Sequence, residues 1–133
     1  MSKINLTQSQ YEDHLKLLVA KMRRRLEKIN EGGGAKKIEK LHGEGKLSAR
    51  ERIEGLLDKD MPSIEIGAFA GFELYEEHGG CPAGGVVVVI GYVKGRQCIV
   101  VANDATVKAG AWFPITAKKN LRGLAIGVAV LAV

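Results

Sequence analysis

Three histidines and two cysteines are the side chains of this chain best suited to nucleophilic, acid–base or metal chemistry. His14 lies beside the apolar Leu15 but off the stripe that Leu15 belongs to, and His42 stands just before Gly43. Neither has a Ser, Cys or carboxylate at a spacing that announces a triad, which spacing alone seldom does. His78 and Cys81 are three apart in a glycine-rich segment, but two ligands do not make a metal site. Glu73, Glu76 and Glu77 read as a solvated loop, and Cys98, within an apolar run, as a small core residue. No catalytic side chain and no metal ligand set is therefore assigned.

One stretch is different. Val100 to Gly110 leaves an apolar run and delivers Asn103, Asp104, Thr106, Lys108 and Gly110 to a turn. Strand ends of this kind free backbone N–H groups to point outward and are common ligand sites in α/β proteins. A purely structural turn accounts for the same residues equally well.

The elements that must position this stretch follow from periodicity. Thr7 and Gln10 have the spacing of a capping box, and Tyr11, Leu15, Leu18, Met22, Leu26 and Ile29 recur in steps of three and four. That predicts an amphipathic helix over 8–30, stopped by Gly32-Gly33-Gly34. The triple glycine lacks the Gly-Lys-Ser/Thr of a phosphate loop and follows a helix instead of a strand. A short helix is expected over 35–41. Ser48 and Glu51 form a second capping box, heading a helix of two to three turns that ends near Asp58, ahead of Pro62.

The period then changes. Ser63–Phe69 alternates like a strand, and Gly79-Gly80-Cys81-Pro82 signals a turn. Val86–Val93 reads as a strand buried on both faces, Lys94-Gly95-Arg96 as a three-residue hairpin loop, and Gln97–Ala102 as the antiparallel return. Pro114 suits the first turn of a helix running through Lys118, Lys119 and Leu121. Gly123–Val133 is almost wholly apolar; eleven residues fall short of the roughly 20 that span a bilayer, and a buried strand or the start of one is expected. The chain thus divides into a helical N-terminal segment, 1–60, and a strand-bearing part, 61–133.

Composition narrows the classes further. Apolar residues make up 46% and charged residues 26% of the 133, which argues against disorder, collagen-like repeats and membrane bundles. Two cysteines exclude a disulfide framework and a four-Cys zinc site, and no secretory segment follows Met1, so a reduced, cytoplasmic compartment is expected. The net charge of +5 is mostly N-terminal: residues 1–60 hold 14 Lys/Arg against 10 Asp/Glu. Its densest point, Lys21-Met22-Arg23-Arg24-Arg25, is followed by the acids Glu27 and Glu31 and lacks stacking aromatics, so it reads as a solvated helix face and no nucleic-acid partner is expected.

Two motifs carry a resemblance. Gly45-Lys-Leu-Ser-Ala-Arg-Glu-Arg-Ile53, with Leu56-Leu57-Asp58 after it, and Val101-Ala-Asn-Asp-Ala-Thr-Val-Lys-Ala-Gly-Ala-Trp-Phe-Pro114 resemble the opening of the carboxyltransferase (beta) subunit of biotin-dependent acyl-CoA carboxylases. The similarity covers 30–122, and Asn-Asp-Ala-Thr-Val-Lys followed by two ring residues and proline is nearest the methylcrotonyl-CoA type. The resemblance implies an α/β fold: a helical N-terminal segment, then the start of a crotonase-like (ββα) carboxyltransferase domain, incomplete. It implies carboxyl transfer from carboxybiotin, borne by a biotin carboxylase/biotin carrier partner, to an acyl-CoA such as methylcrotonyl-CoA or propionyl-CoA. It also implies a homo-oligomer of the full-length subunit, with no membrane partner. Asn103, Asp104, Thr106, Lys108 and Gly110 become the residues expected at the acyl-CoA or biotin, with Lys108 and the Lys118/Lys119/Arg122 group as phosphate partners by charge. Such chemistry holds an enolate oxygen with backbone N–H groups and needs no side-chain nucleophile. Ala109 stands where the family has glycine, and the apolar end departs from the family pattern; the chain is therefore expected to be an N-terminal fragment, inactive alone. The alternative is a non-enzymatic scaffold that uses the first helix as a coiled-coil seam.

Overall fold

A computed structural model describes residues 6–131, with the side chains of 8–129. Helix α1 runs Leu6–Asn30, starting two residues before the expected span of 8–30; the capping box proposed on Thr7 rests on a side chain outside those described. The helix ends at the glycine triplet, where Gly32 takes φ +56°. Helix α2 (Ala35–Gly43) and helix α3 (Ala49–Leu56) follow. The capping box of α3 forms as its spacing predicts: Ser48 Oγ accepts from Glu51 N, and Glu51 Oε2 accepts from Ser48 N at 2.7 Å.

A three-stranded antiparallel sheet comes next, in the order β1 (Ile64–Ile66), β2 (Val86–Val93), β3 (Arg96–Asn103). Strand β1 is shorter than the alternating run 63–69. The hairpin loop holds two residues and not three: Val93 pairs with Arg96, and Lys94 and Gly95 both have positive φ, as the primed turns favoured by right-twisted strands require. Arg96 belongs to the ladder because only two residues with positive φ are needed to reverse the chain.

Both faces of the sheet are covered, which explains the unbroken valine run in an antiparallel strand. Val87 and Val89 pack with Ala49 and Ile53 of α3, while Val88 lies against Gly123 of the last helix. That helix, α4, extends over Pro114–Leu131. The strand expected for Gly123–Val133 is thus helical as far as described, the final residues lying outside. Gly123 and Gly127, four apart, face Val88 and Ile99, so one face of the apolar tail lies on the sheet while Leu124 and Val128 stay exposed. A second cluster, Cys81, Val107 and Phe113 with Tyr75 and Ile115, sits beneath the loops. Cys81 is buried, whereas Cys98 is half-buried on β3; the core thiol is Cys81 and not the Cys98 expected.

Candidate functional site

The Asn103–Gly110 segment joins β3 to α4, and its side chains divide by direction. Asp104 and Thr106 turn inward and are buried. Asp104 Oδ1 accepts from the Thr106 amide at 2.9 Å and from its hydroxyl at 2.6 Å, and Thr106 Oγ1 accepts in turn from Gly33 N at 2.8 Å. A Cβ at Gly33 would collide with the Thr106 carbonyl, so the glycine triplet serves as the seat on which this loop rests. These two side chains clamp the loop to the end of α1.

Asn103, Lys108 and Ala109 are exposed, and Gly110 is half-buried. Asn103 Nδ2 donates to the Gly110 carbonyl at 2.8 Å, closing the loop. Lys108, Ala109 and Gly110 take φ of 46°, 52° and 82° in succession, a left-handed path that glycine tolerates best. Ala109 therefore carries backbone strain that a glycine would not. The Lys108 ammonium lies 4.6 Å from the centroid of the Phe113 ring, on which Tyr75 stacks at 4.5 Å.

The fold brings the two sequence motifs together. Arg52 Nη2 donates to the Asn103 carbonyl at 3.0 Å, and Leu41, Lys46, Leu47, Ala49, Arg52 and Ala105 line a cleft of about 380 Å³ between α2, α3 and the loop. Sequence reading had Gly45–Ile53 as a motif but did not identify Arg52 as the cation that bonds the loop, nor Lys46, whose ammonium pairs with Glu44 at 2.8 Å, as a residue of the cleft's rim. The helical step between Arg50 and Arg52 was the available signal, since residues two apart leave a helix on different sides. Arg50 leaves toward β1, where it grips Glu65 bidentately at 2.6 and 3.1 Å.

Of the cations proposed near the start of α4, Lys118 and Arg122 are exposed and Lys119 is not. Lys119 Nζ donates to the carbonyls of Ala83 and Val86 at 2.8 and 2.7 Å, and burial holds its pKa down to about 8, with Glu65 opposing the shift. Lys119 is consumed inside the fold and does not reach a surface phosphate. The buried Cys81 thiol is pushed up in pKa by desolvation and stays protonated. His42 Nε2 meets both Glu51 oxygens at 2.9 Å, but that carboxylate is engaged in the α3 cap. Its pKa falls to about 2, first through the His42 hydrogen bond and then through Ser48. Among the described residues no three His, Cys, Asp or Glu gather as a metal site, and no helix is long and apolar enough to cross a membrane.

Residues 40–129 match the carboxyl transferase domain family. The probable methylcrotonoyl-CoA carboxylase beta chain, mitochondrial, of Drosophila melanogaster is 45% identical over 91% of this chain and 21% of its own length. The biotin-dependent 3-methylcrotonyl-coenzyme A carboxylase beta1 subunit of Mycobacterium tuberculosis is 39% identical over 84% of this chain and 21% of its own length. In solved structures, the transcarboxylase 12S hexamer with methylmalonyl-coenzyme A bound superposes with a TM-score of 0.74 at 31% identity, covering 81% of this chain and 22% of the other. The beta subunit of P. aeruginosa geranyl-CoA carboxylase does so at 0.75 and 30%, covering 86% and 21%. The chain spans about a fifth of the length of these relatives. Its mixed helices and small antiparallel sheet are those of part of a crotonase-like carboxyltransferase.

Proposed function

Because the chain belongs to the carboxyl transferase domain family, we propose that it contributes the acyl-CoA-binding opening of a biotin-dependent acyl-CoA carboxylase carboxyltransferase, of the methylcrotonyl-CoA type. In this reading residues 1–60 are its helical N-terminal segment and 61–133 the first part of the transferase domain. The observation that carries it is the meeting of the two motifs, with Arg52 of the first bonded to Asn103 of the second. Lys46 and Arg52 border the cleft as cations for the CoA phosphates, and exposed Lys108 adds charge at the loop's far end.

The reaction breaks the bond between a biotin ureido nitrogen and its carboxyl group and joins that group to the enolate carbon of the thioester. That carbon is the α-carbon of propionyl-CoA or, through the dienolate, the γ-carbon of methylcrotonyl-CoA, and the proton it loses ends on the ureido nitrogen. Carboxybiotin arrives on a biotin carboxylase/biotin carrier partner and is a substrate here. Of the residues first expected at the ligand, Asn103, Lys108 and Gly110 present the loop's outer face. Asp104 and Thr106 set that face by tying it to Gly33, positioning it without contact of their own. The working assembly is a homo-oligomer of the longer subunit, and these 133 residues bind acyl-CoA without turning it over. A reducing compartment suits two free thiols, and the cytoplasm expected from the sequence and the mitochondrion named for the Drosophila relative are both of that kind.

Calorimetric titration of the chain with methylcrotonyl-CoA and propionyl-CoA tests this reading. Binding that weakens about tenfold in Lys46→Ala and in Arg52→Ala, with unchanged circular dichroism, is expected. Equal binding by both variants, or no binding at millimolar thioester, overturns it.

A further inference from the structure

The first turn of α4 is capped by one half of a capping box. Thr116, the third residue of the helix, accepts from the Phe113 amide through Oγ1 at 3.1 Å. The reciprocal half needs a hydrogen-bonding side chain at Phe113, and a phenyl ring supplies none. The single hydroxyl proton of Thr116 goes elsewhere: it is donated to the Gly84 carbonyl, 32 residues away, at 2.6 Å. Thr116 is 0% exposed, so water does not compete for either bond.

Both partners lead to the loop after β3. Gly84 precedes Gly85, whose carbonyl accepts from the Asp104 amide at 3.0 Å, at the loop's entrance. Gly85 also lies against the Thr116 hydroxyl and Val107, from which a Cβ there would stand 3.5 and 3.6 Å. Beyond the loop's exit, the buried ring of Phe113 carries the Lys108 ammonium 4.6 Å from its centroid. One buried oxygen therefore ties the entrance of the Asn103–Gly110 loop to the ring beneath its exposed lysine. The clamp of Asp104 and Thr106 on Gly33 stops at Thr106. The Lys108 end of the loop rests on Phe113, which Thr116 holds.

We infer that Thr116 is a positioning residue for acyl-CoA binding: its hydroxyl sets where Lys108 stands relative to the rest of the loop. This role rests on the acyl-CoA reading above and adds to it a residue that touches no ligand.

Calorimetric titration of the whole 133-residue chain with methylcrotonyl-CoA is the test. Thr116→Val keeps the shape and removes both bonds, whereas Thr116→Ser keeps the hydroxyl. Thr116→Val should weaken binding about tenfold with native circular dichroism, and Thr116→Ser should stay within about twofold of the unsubstituted chain. Lys108→Ala should also weaken binding. The double variant with Thr116→Val should bind no more weakly than the weaker single one, since a displaced lysine has little left to lose. Additive losses overturn the inference, as does unchanged binding in Thr116→Val or an equal loss in Thr116→Ser. A spectroscopic arm holds even where Thr116→Val does not fold. In the unsubstituted chain the Lys108 ε-methylene protons, over the Phe113 ring, should resonate upfield of those of the other lysines and move when the thioester binds. A Lys108 signal among the others, or one indifferent to bound thioester, overturns the inference too. No binding by the unsubstituted chain brings down the acyl-CoA reading and this role with it, whereas full binding by Thr116→Val brings down only the role of Thr116.

Discussion

Lys119 shows how a charged residue is claimed by the fold. Together with Thr116, which donates to the Gly84 carbonyl at 2.6 Å, it captures the carbonyls of Ala83 and Gly84 in the left-handed turn ahead of β2 and that of Val86, which opens the strand. Replacing Lys119 with Met keeps the stem but leaves two buried acceptors unpaired, a loss of about 2 kcal/mol in urea unfolding. The pH dependence has a definite sign. A lysine held near 8 in the fold and near 10.5 when unfolded is protonated more in the unfolded chain between those values, so stability should rise across that window. Denaturation midpoints from pH 8 to 10.5 should show a rise that Lys119→Met lacks. Asp104 and Thr106 make the same point. Their types announced a turn with hydrogen-bonding side chains, but only the approach of Gly33 decided that both turn inward.

Elements were legible where local chemistry specified them. The Ser48–Glu51 box forms because both halves of the cap lie within one turn, so no distant residue is needed. Ser48→Ala should cost about 1 kcal/mol in chemical unfolding. Glu51 adds an acid limb: its carboxylate titrates near 2 in the fold against 4.5 ordinarily, so its contribution is complete above 4.5 and disappears as the pH falls toward 2. Unfolding midpoints between pH 5 and 2 should therefore fall less steeply in Glu51→Gln than in the unsubstituted chain. The hairpin and the tail were misread because their cues are shared. Lys-Gly-Arg fits two loop lengths, and ladder pairing of Val93 with Arg96 selects the shorter. An unbroken apolar run at 123–131 suits a strand or a buried helix equally, since periodicity vanishes when no position is polar. The glycine notches at 123 and 127 select the helix once the sheet is beneath them.

At the scale of the molecule, the described residues leave apolar surface uncovered on the α1 stripe and in a cleft of about 550 Å³ where α4 crosses β3, lined by Ile90, Ile99, Val101, Leu124 and Val128 among others. The buried Oδ1 of Asn120 is without a hydrogen-bond partner beside that cleft. Leu124→Glu, at an exposed position, should change stability by no more than about 0.5 kcal/mol while lowering the fluorescence of a bound apolar dye. The sequence by itself determined the helices of the first half, the β2–β3 pairing, the turn after β3 and the family, because caps, alternation and ordered motifs are written in neighbouring residues. Only the tertiary structure decided that Arg52 meets Asn103, that Lys119 is buried, and that α1 keeps its apolar stripe exposed. Each of those depends on residues dozens of positions apart, and no local propensity encodes which of them will meet.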